Sequence, residues 1–474
     1  MNIWKQVSAG GASFASHFIL SPKELIRLPF LKKISFTLRT LEKAAVLLEI
    51  PEYIYESKMA GQTFEKRMQE AVQNGEIPGA VLVAGDREGK FRYEKAFGYH
   101  SLKDPSNPDP MKLDATMWLA SCTKLPTTIA ALQCVERGLL NLDEDVTDIL
   151  PELKGLKILS GFEEDGNGND TPVLVDNLKA ITLRHLLTHS SGLSYDFFSP
   201  VLARYRKWQK QTPDLNIKQD LKEAFFFPLL FAPGEAWEYG VGIDWAGWMV
   251  ERVTNMSLEA YQQQHIWGPL GVKSFSFFPR VKPDIMTKMT DMSDREGGVT
   301  MFGTAADPNG KIVHREGKEI WNSGAEQCAG GAGGYGAPLD YQKVLQSILA
   351  DDGILLKTET VKEMFKPQLT DAAQATLMEI LKLPEMNQAL GGLPLGTKVD
   401  WGLGGMMTME DAGSRRKGTM LWGGYPNLMW FIDRVGGMSG IYGSQLSPPG
   451  DQKTIELFLK WVEELYKKDI EPKL

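Results

Sequence analysis

Strand-forming segments lie at both ends of this 474-residue chain, and helical patterns fill the space between them. Near the start, Ala80 to Ala84 and Arg92 to Phe97 flank Gly85-Asp86-Arg87-Glu88-Gly89, a turn signal that makes them a hairpin. Near the end, Met406 to Met409, Thr419 to Gly423, Leu428 to Asp433 and Met438 to Leu446 have strand composition, with Gly436-Gly437 as the turn between the last two. A hairpin alone is marginal in water, so the two sets are expected to pair. The result is an α/β fold with one antiparallel sheet drawn from N- and C-terminal strands, flanked by helices, and with the helical middle inserted as a second lobe. Helical spacing covers Thr63 to Gln73, Thr123 to Gly138, Leu183 to Thr188, Leu221 to Phe227, Asp244 to Thr254 and Leu258 to Ile266. A closing helix, Lys453 to Tyr466, sets Ile455, Phe458, Leu459, Val462 and Leu465 on one face. Lys103 to Lys112, Gly161 to Thr171 and Gly330 to Gly336 are rich in turn formers and read as loops. The expected division is an N-terminal extension over 1–58, an α/β lobe from 59–120 with 400–474, and a mainly helical lobe over 121–399.

Composition excludes some functions. A net charge of −8 argues against nucleic-acid binding, because phosphate contacts need a basic face. Three cysteines, Cys122, Cys134 and Cys328, make no disulfide framework and fit a reducing, cytoplasmic setting. No apolar run reaches the roughly 18 residues of a membrane span. The first 50 residues are basic, with a weakly apolar run from Val7 to Leu20. Such a segment fits either a targeting signal or a docked extension. The extension is the expectation, because no clear apolar region leads to a small-residue cleavage site.

Chemistry concentrates at Ser121-Cys122-Thr123-Lys124. Serine is a weak nucleophile until a base removes its proton, and a lysine three residues on shares its helix face. The unpaired N–H groups of a helix start stabilise developing negative charge. The competing reading is an N-cap serine on an ordinary helix, and the tetrapeptide alone does not decide. A second match, Ser414-Arg415-Arg416-Lys417, lies in a charged, Gly-flanked turn. Pro126 falls early in the nucleophile's helix and removes one backbone donor, which is expected to bend it.

Two further elements fit the same chemistry. Tyr239 precedes a Gly-rich turn and a helix, where its hydroxyl can relay protons. Trp422-Gly423-Gly424-Tyr425 places glycines in a strand, as close approach of a backbone or ligand requires. That edge can supply one N–H of an oxyanion hole, with Ser121 N–H as the other. His185 and His189 have the spacing of a helical metal pair, but no third ligand is near in sequence. Gly331-x-Gly333-x-x-Gly336 follows no convincing strand and reads as a flexible loop, not a dinucleotide site.

Taken together, Ser121-x-x-Lys124, Tyr239 and Trp422-Gly423-Gly424 resemble the serine β-lactamase, penicillin-binding-protein and esterase superfamily. More specifically the chain is similar to fungal lovastatin-type acyltransferases of polyketide pathways. The stretches that carry this are Ile77 to Ala80, Leu119 to Leu125, Ala131 to Gly138, Ile181 to Tyr195, Asp244 to Gly247, and Arg416 to Gly418 leading to Trp422. Residues 1–55 match nothing in that family. The resemblance implies a two-lobe β-lactamase-like fold with the site between the lobes, Ser121 as nucleophile, and Lys124 and Tyr239 as its proton carriers. It implies ping-pong transfer of an acyl group from a thioester, on a carrier protein or coenzyme A, to an alcohol of a bulky small-molecule acceptor. No metal or organic cofactor is required. A carboxylesterase that gives the acyl group to water is the alternative. The chain departs from true β-lactamases in two places: Gly240 and Val241 follow Tyr239 where an asparagine is usual, and the third motif lacks its lysine. Both departures argue against β-lactam hydrolysis.

Overall fold

The computed structural model describes residues 63–164, 170–211, 220–300, 303–304, 306–317 and 319–467. The extension over 1–58, with its Val7 to Leu20 run, lies outside the described residues. The fold opens with helix α1 (Phe64–Gln73), whose Phe64, Met68 and Ala71 are buried. Strands β1 (Gly79–Asp86) and β2 (Arg92–Ser101) form the expected hairpin, with Gly79 opposite Gly98 and Gly85 opposite Arg92. A short β3 (Asp109–Pro110) extends it.

The C-terminal strands are β4 (Val399–Trp401), β5 (Met406–Thr408), β6 (Met420–Gly424), β7 (Leu428–Asp433) and β8 (Met438–Gly443). All eight strands make one antiparallel sheet in the order β4-β5-β6-β7-β8-β1-β2-β3. The join between the two ends is β8 on β1, with Val81 opposite Gly443 and Asp86 opposite Met438. β1 is buried almost without alternation because helices cover both faces. On one face lies α2 (Pro338–Ala350), whose Gln342 Nε2 donates to Ser439 Oγ at 2.8 Å. On the other lies the closing helix α3 (Gln452–Lys467), whose Trp461 packs tilted against Tyr93 and edge-on against Phe431. Burying a side chain of that size stabilises the fold by roughly 3 kcal/mol. At the start of α3 the buried Asp451 pairs with Arg295 and accepts from Thr454 N–H at 2.9 Å.

Several expectations were displaced. The stretch Gly161 to Thr171 is not a plain loop: Ile158–Glu164 pairs antiparallel with Asp170–Val175, and residues 165–169 lie outside the described set. Leu159 anchors this hairpin in a small cluster with Leu202 and Phe227, a packing reward that turn-forming glycines hide in sequence. The helix expected over Leu221 to Phe227 ends at Ala224. The last strand breaks at Gly443, and Leu446–Ser447 pairs in parallel with Ser293–Arg295. Among the described residues no helix is long and apolar enough to cross a membrane.

Candidate active site

Ser121 sits in a 3-10 turn, Ala120–Thr123, that runs directly into an α-helix over Lys124–Glu136. Entry is abrupt. Ala120 has a φ of 45°, a left-handed conformation that costs a non-glycine residue on the order of 1–3 kcal/mol. Tertiary bonds hold the turn there. Thr123 Oγ1 donates to Ala120 O at 2.6 Å and accepts from Gly334 N–H at 3.0 Å. Leu119 N–H donates to Gly334 O, and the Tyr341 hydroxyl donates to Cys122 O at 2.8 Å. The loop over Gly330 to Gly336, expected to be flexible, is thus a brace on the Ser121 turn. Pro126 occupies the first turn of the helix, where its missing N–H has no intrahelical partner to lose.

The Ser121 hydroxyl caps nothing: neither the turn nor the helix has a side-chain cap. It lies instead between two proton-handling groups. The Tyr239 hydroxyl donates to Ser121 Oγ at 2.7 Å, and Lys124 Nζ donates to it at 3.3 Å. Ser121 and Tyr239 are partly exposed, whereas Lys124 is 1% exposed and forms the floor. Lys124 Nζ also lies 4.6 Å from the Tyr239 ring centroid, a cation–π distance. The neighbouring Cys122 is fully buried, and burial holds its thiol far above the usual range.

Tyr239 is gripped from two sides. The buried Trp422 donates its indole N–H to the Tyr239 hydroxyl at 3.3 Å, and Trp401 packs edge-on against Trp422. His189 lies 4.7 Å from the Tyr239 ring, and its Nδ1 accepts from Gly240 N–H at 3.3 Å. Burial and the Lys124 charge keep this imidazole well below its usual range, hence neutral. His185 accepts from Thr182 N–H in a helix capping box. Both histidines therefore serve the backbone.

The Trp422 to Tyr425 segment ends β6 against the Ser121 turn. A Cβ at Gly424 would lie 2.4 Å from Leu119 O, so no side chain fits at that approach. A Cβ at Gly423 would meet Leu428 O within the same hairpin. The Tyr425 ring lies 5.9 Å from Trp118, which stacks on Trp321, giving the site an aromatic wall. Ser414 and Lys417 lie on a turn between β5 and β6, where Lys417 is exposed.

Three residues to which sequence reading gave no role also converge here. Lys124 Nζ donates to the Tyr195 hydroxyl at 3.1 Å and to Gly331 O at 2.8 Å, and Tyr195 donates to Asp244 at 3.3 Å. Tyr195 ends one of the stretches that carried the family resemblance and Asp244 begins another, which was the available signal.

A large antiparallel sheet carrying a buried Ser-x-x-Lys turn and a facing tyrosine defines a protein class, and the chain belongs to the Beta-lactamase family, whose model matches residues 64–458. Within it, the chain is 40% identical over 384 residues to the lovastatin esterase of Penicillium rubens, covering 81% of this chain and 92% of that protein. It is 36% identical over 394 residues to monacolin J acid methylbutanoyltransferase of Aspergillus terreus, covering 82% and 91%. The fold superimposes on simvastatin synthase from Aspergillus terreus (LovD6 mutant) with a TM-score of 0.76 at 37% identity, covering 85% of this chain and 96% of that one.

Proposed function

We propose that this protein is a serine acyltransferase that moves an acyl group from a thioester to an alcohol of a bulky, apolar small molecule. The observation that carries the reading is the Ser121 hydroxyl set between Tyr239 at 2.7 Å and Lys124 at 3.3 Å. In the first half-reaction Lys124 in its neutral amine form, helped by Tyr239, takes the Ser121 proton and becomes an ammonium, and Oγ bonds to the acyl carbon. The N–H groups of Ser121 and Tyr425 hold the oxyanion, each contributing on the order of 2.7–4 kcal/mol. The carbon–sulfur bond breaks and the thiolate, borne by a carrier protein or coenzyme A, takes up the proton. In the second half-reaction an acceptor alcohol gives its proton to Tyr239 as Tyr239 hands its own hydroxyl proton to Ser121 Oγ; the alcohol oxygen bonds to the acyl carbon and the Ser121 Oγ–acyl bond breaks. The similarity to monacolin J acid methylbutanoyltransferase supports acyl transfer. The aromatic wall of Trp118, Trp321 and Tyr425 suits an apolar acceptor.

A second reading, hydrolysis, is favoured by the 40% identical lovastatin esterase. The two differ only in which oxygen receives the acyl group. Intact-protein mass after mixing with a short-chain acyl thioester tests the shared step. A gain of one acyl group, absent in Ser121→Ala, is expected; no adduct across several acyl lengths would refute it. Adding alcohols of increasing apolar size then separates the readings: ester product indicates transfer, and free acid alone indicates hydrolysis.

A further inference from the structure

The Lys124 ammonium has three acceptors: Ser121 Oγ, the Tyr195 hydroxyl and Gly331 O. The two that are not the nucleophile lead to one carboxylate. The Tyr195 hydroxyl donates a hydrogen bond to Asp244 Oδ2 at 3.3 Å, and Gly331 N–H donates to Asp244 Oδ1 at 2.8 Å. Asp244 therefore backs Lys124 along two arms, one through a phenol and one through the peptide of a single glycine. The approach is close. A Cβ at Gly331 would lie 2.3 Å from Asp244 Oδ2 and 2.9 Å from the Tyr195 hydroxyl, so only glycine leaves both arms intact. Lys124 and Asp244 are 1% exposed and Tyr195 is 5% exposed, which keeps the arms out of bulk water.

We propose that Asp244 is a positioning residue of the acyl-transfer centre, whose ionised carboxylate holds Lys124 as an ammonium through Tyr195 and Gly331 and so governs how readily the lysine takes the Ser121 proton. This rests on the reading of Lys124 as the base of Ser121. Asp244 lies in the first turn of the helix over Gly242–Thr254, where the helix dipole favours a negative charge. The groups around the ammonium leave the counter-charge to it. Tyr195 is held neutral, because burial and the Asp244 charge raise it well above its usual range. His189, on the adjoining segment, is neutral, and the Cys122 thiol beneath the turn keeps its proton. Tyr239 faces the ammonium with its ring. Burial pushes the Asp244 carboxyl up to about 6, against the pull of Lys124 and the Gly331 and Tyr195 hydrogen bonds. It is ionised where acyl transfer is measured near neutrality.

The prediction has a sign. A lysine deprived of its counter-charge gives up its proton more readily, so the acid limb of acylation moves to lower pH. Burst release of thiol from a short-chain acyl thioester, measured from pH 5 to 9, reads this limb in the full-length protein. Asp244→Asn keeps the shape and removes the charge; its limb is expected about one pH unit lower, a tenfold change in proton affinity. Tyr195→Phe cuts one arm and is expected to move the limb about half as far, which also covers failure of the first variant to fold. A packing role would lower the rate or the unfolding temperature and leave the limb in place. Limbs of both folded variants coinciding with wild type would overturn the inference while the acyl-enzyme reading stands. No adduct on Ser121 in wild type would sink both.

Discussion

Gly424→Ala tests whether the end of β6 holds the oxyanion. The new Cβ would lie 2.4 Å from Leu119 O, and contacts under 3.0 Å do not occur at real Cβ atoms. The gap must therefore open by about 0.6 Å, and by about 1.0 Å to reach the relaxed 3.4 Å. Leu119 O cannot yield easily, because it accepts from Cys122 N–H at 3.0 Å within the turn that holds Ala120 at positive φ. The strand end has to move instead, and the Tyr425 N–H moves with it. A donor displaced by that much loses most of its hold on an oxyanion, worth roughly 2.7–4 kcal/mol or 10²–10³ in rate. Rapid-mixing thiol release should show acylation slowed by about that factor, with substrate affinity and unfolding temperature little changed. Acylation within about threefold of wild type, in a variant that folds, would show that the Tyr425 N–H is not the donor.

Trp422→Phe removes the indole donor to Tyr239 and keeps a ring in place; both half-reactions should slow about 2- to 10-fold, read from burst and steady-state rates on one substrate. Burial raises the Glu238 carboxyl to about 7, with only the Ser194 hydroxyl opposing it. Its neutral form is the one the fold prefers, so its contribution is full below about pH 4.5 and lost as pH rises through 7; Glu238→Gln should flatten the fall of unfolding temperature across that window. Asp451→Asn leaves the buried Arg295 unpaired and should cost about 3–5 kcal/mol in urea unfolding, while the surviving folded protein keeps its acylation rate.

Where periodicity or turn chemistry speaks locally, the sequence was readable. The β1–β2 hairpin, the strands around Gly436-Gly437 and the closing helix all follow from such patterns, and pairing of the two ends follows because strands need partners. Ser121, Lys124 and Tyr239 carried a chemical signature and do converge. Asp244 and Tyr195 did not stand out, because a first-turn acid and a buried tyrosine are ordinary. Their meaning lies in contacts across 71 residues to Lys124 and 49 between themselves. β4, three residues of Val-Asp-Trp, is too short to show alternation, and only the sheet edge makes it a strand. Pro338 at the first position of α2 is a helix-start signal, yet no helix was expected over this segment.

The pairing of β8 with β1 also sets a schedule for the newborn chain. Val81 and Gly443 are about 360 positions apart, so on a ribosome adding 5–20 residues per second β1 waits roughly 20 to 70 s for its neighbour. The serine turn is synthesised early, yet the strand that closes over it arrives in the same late portion. Throughout that interval an apolar strand edge stands open, the kind of surface that chaperones cover and that aggregation exploits. In this architecture the Ser121 turn and the β6 edge beside it come together only after the C-terminal strands have emerged.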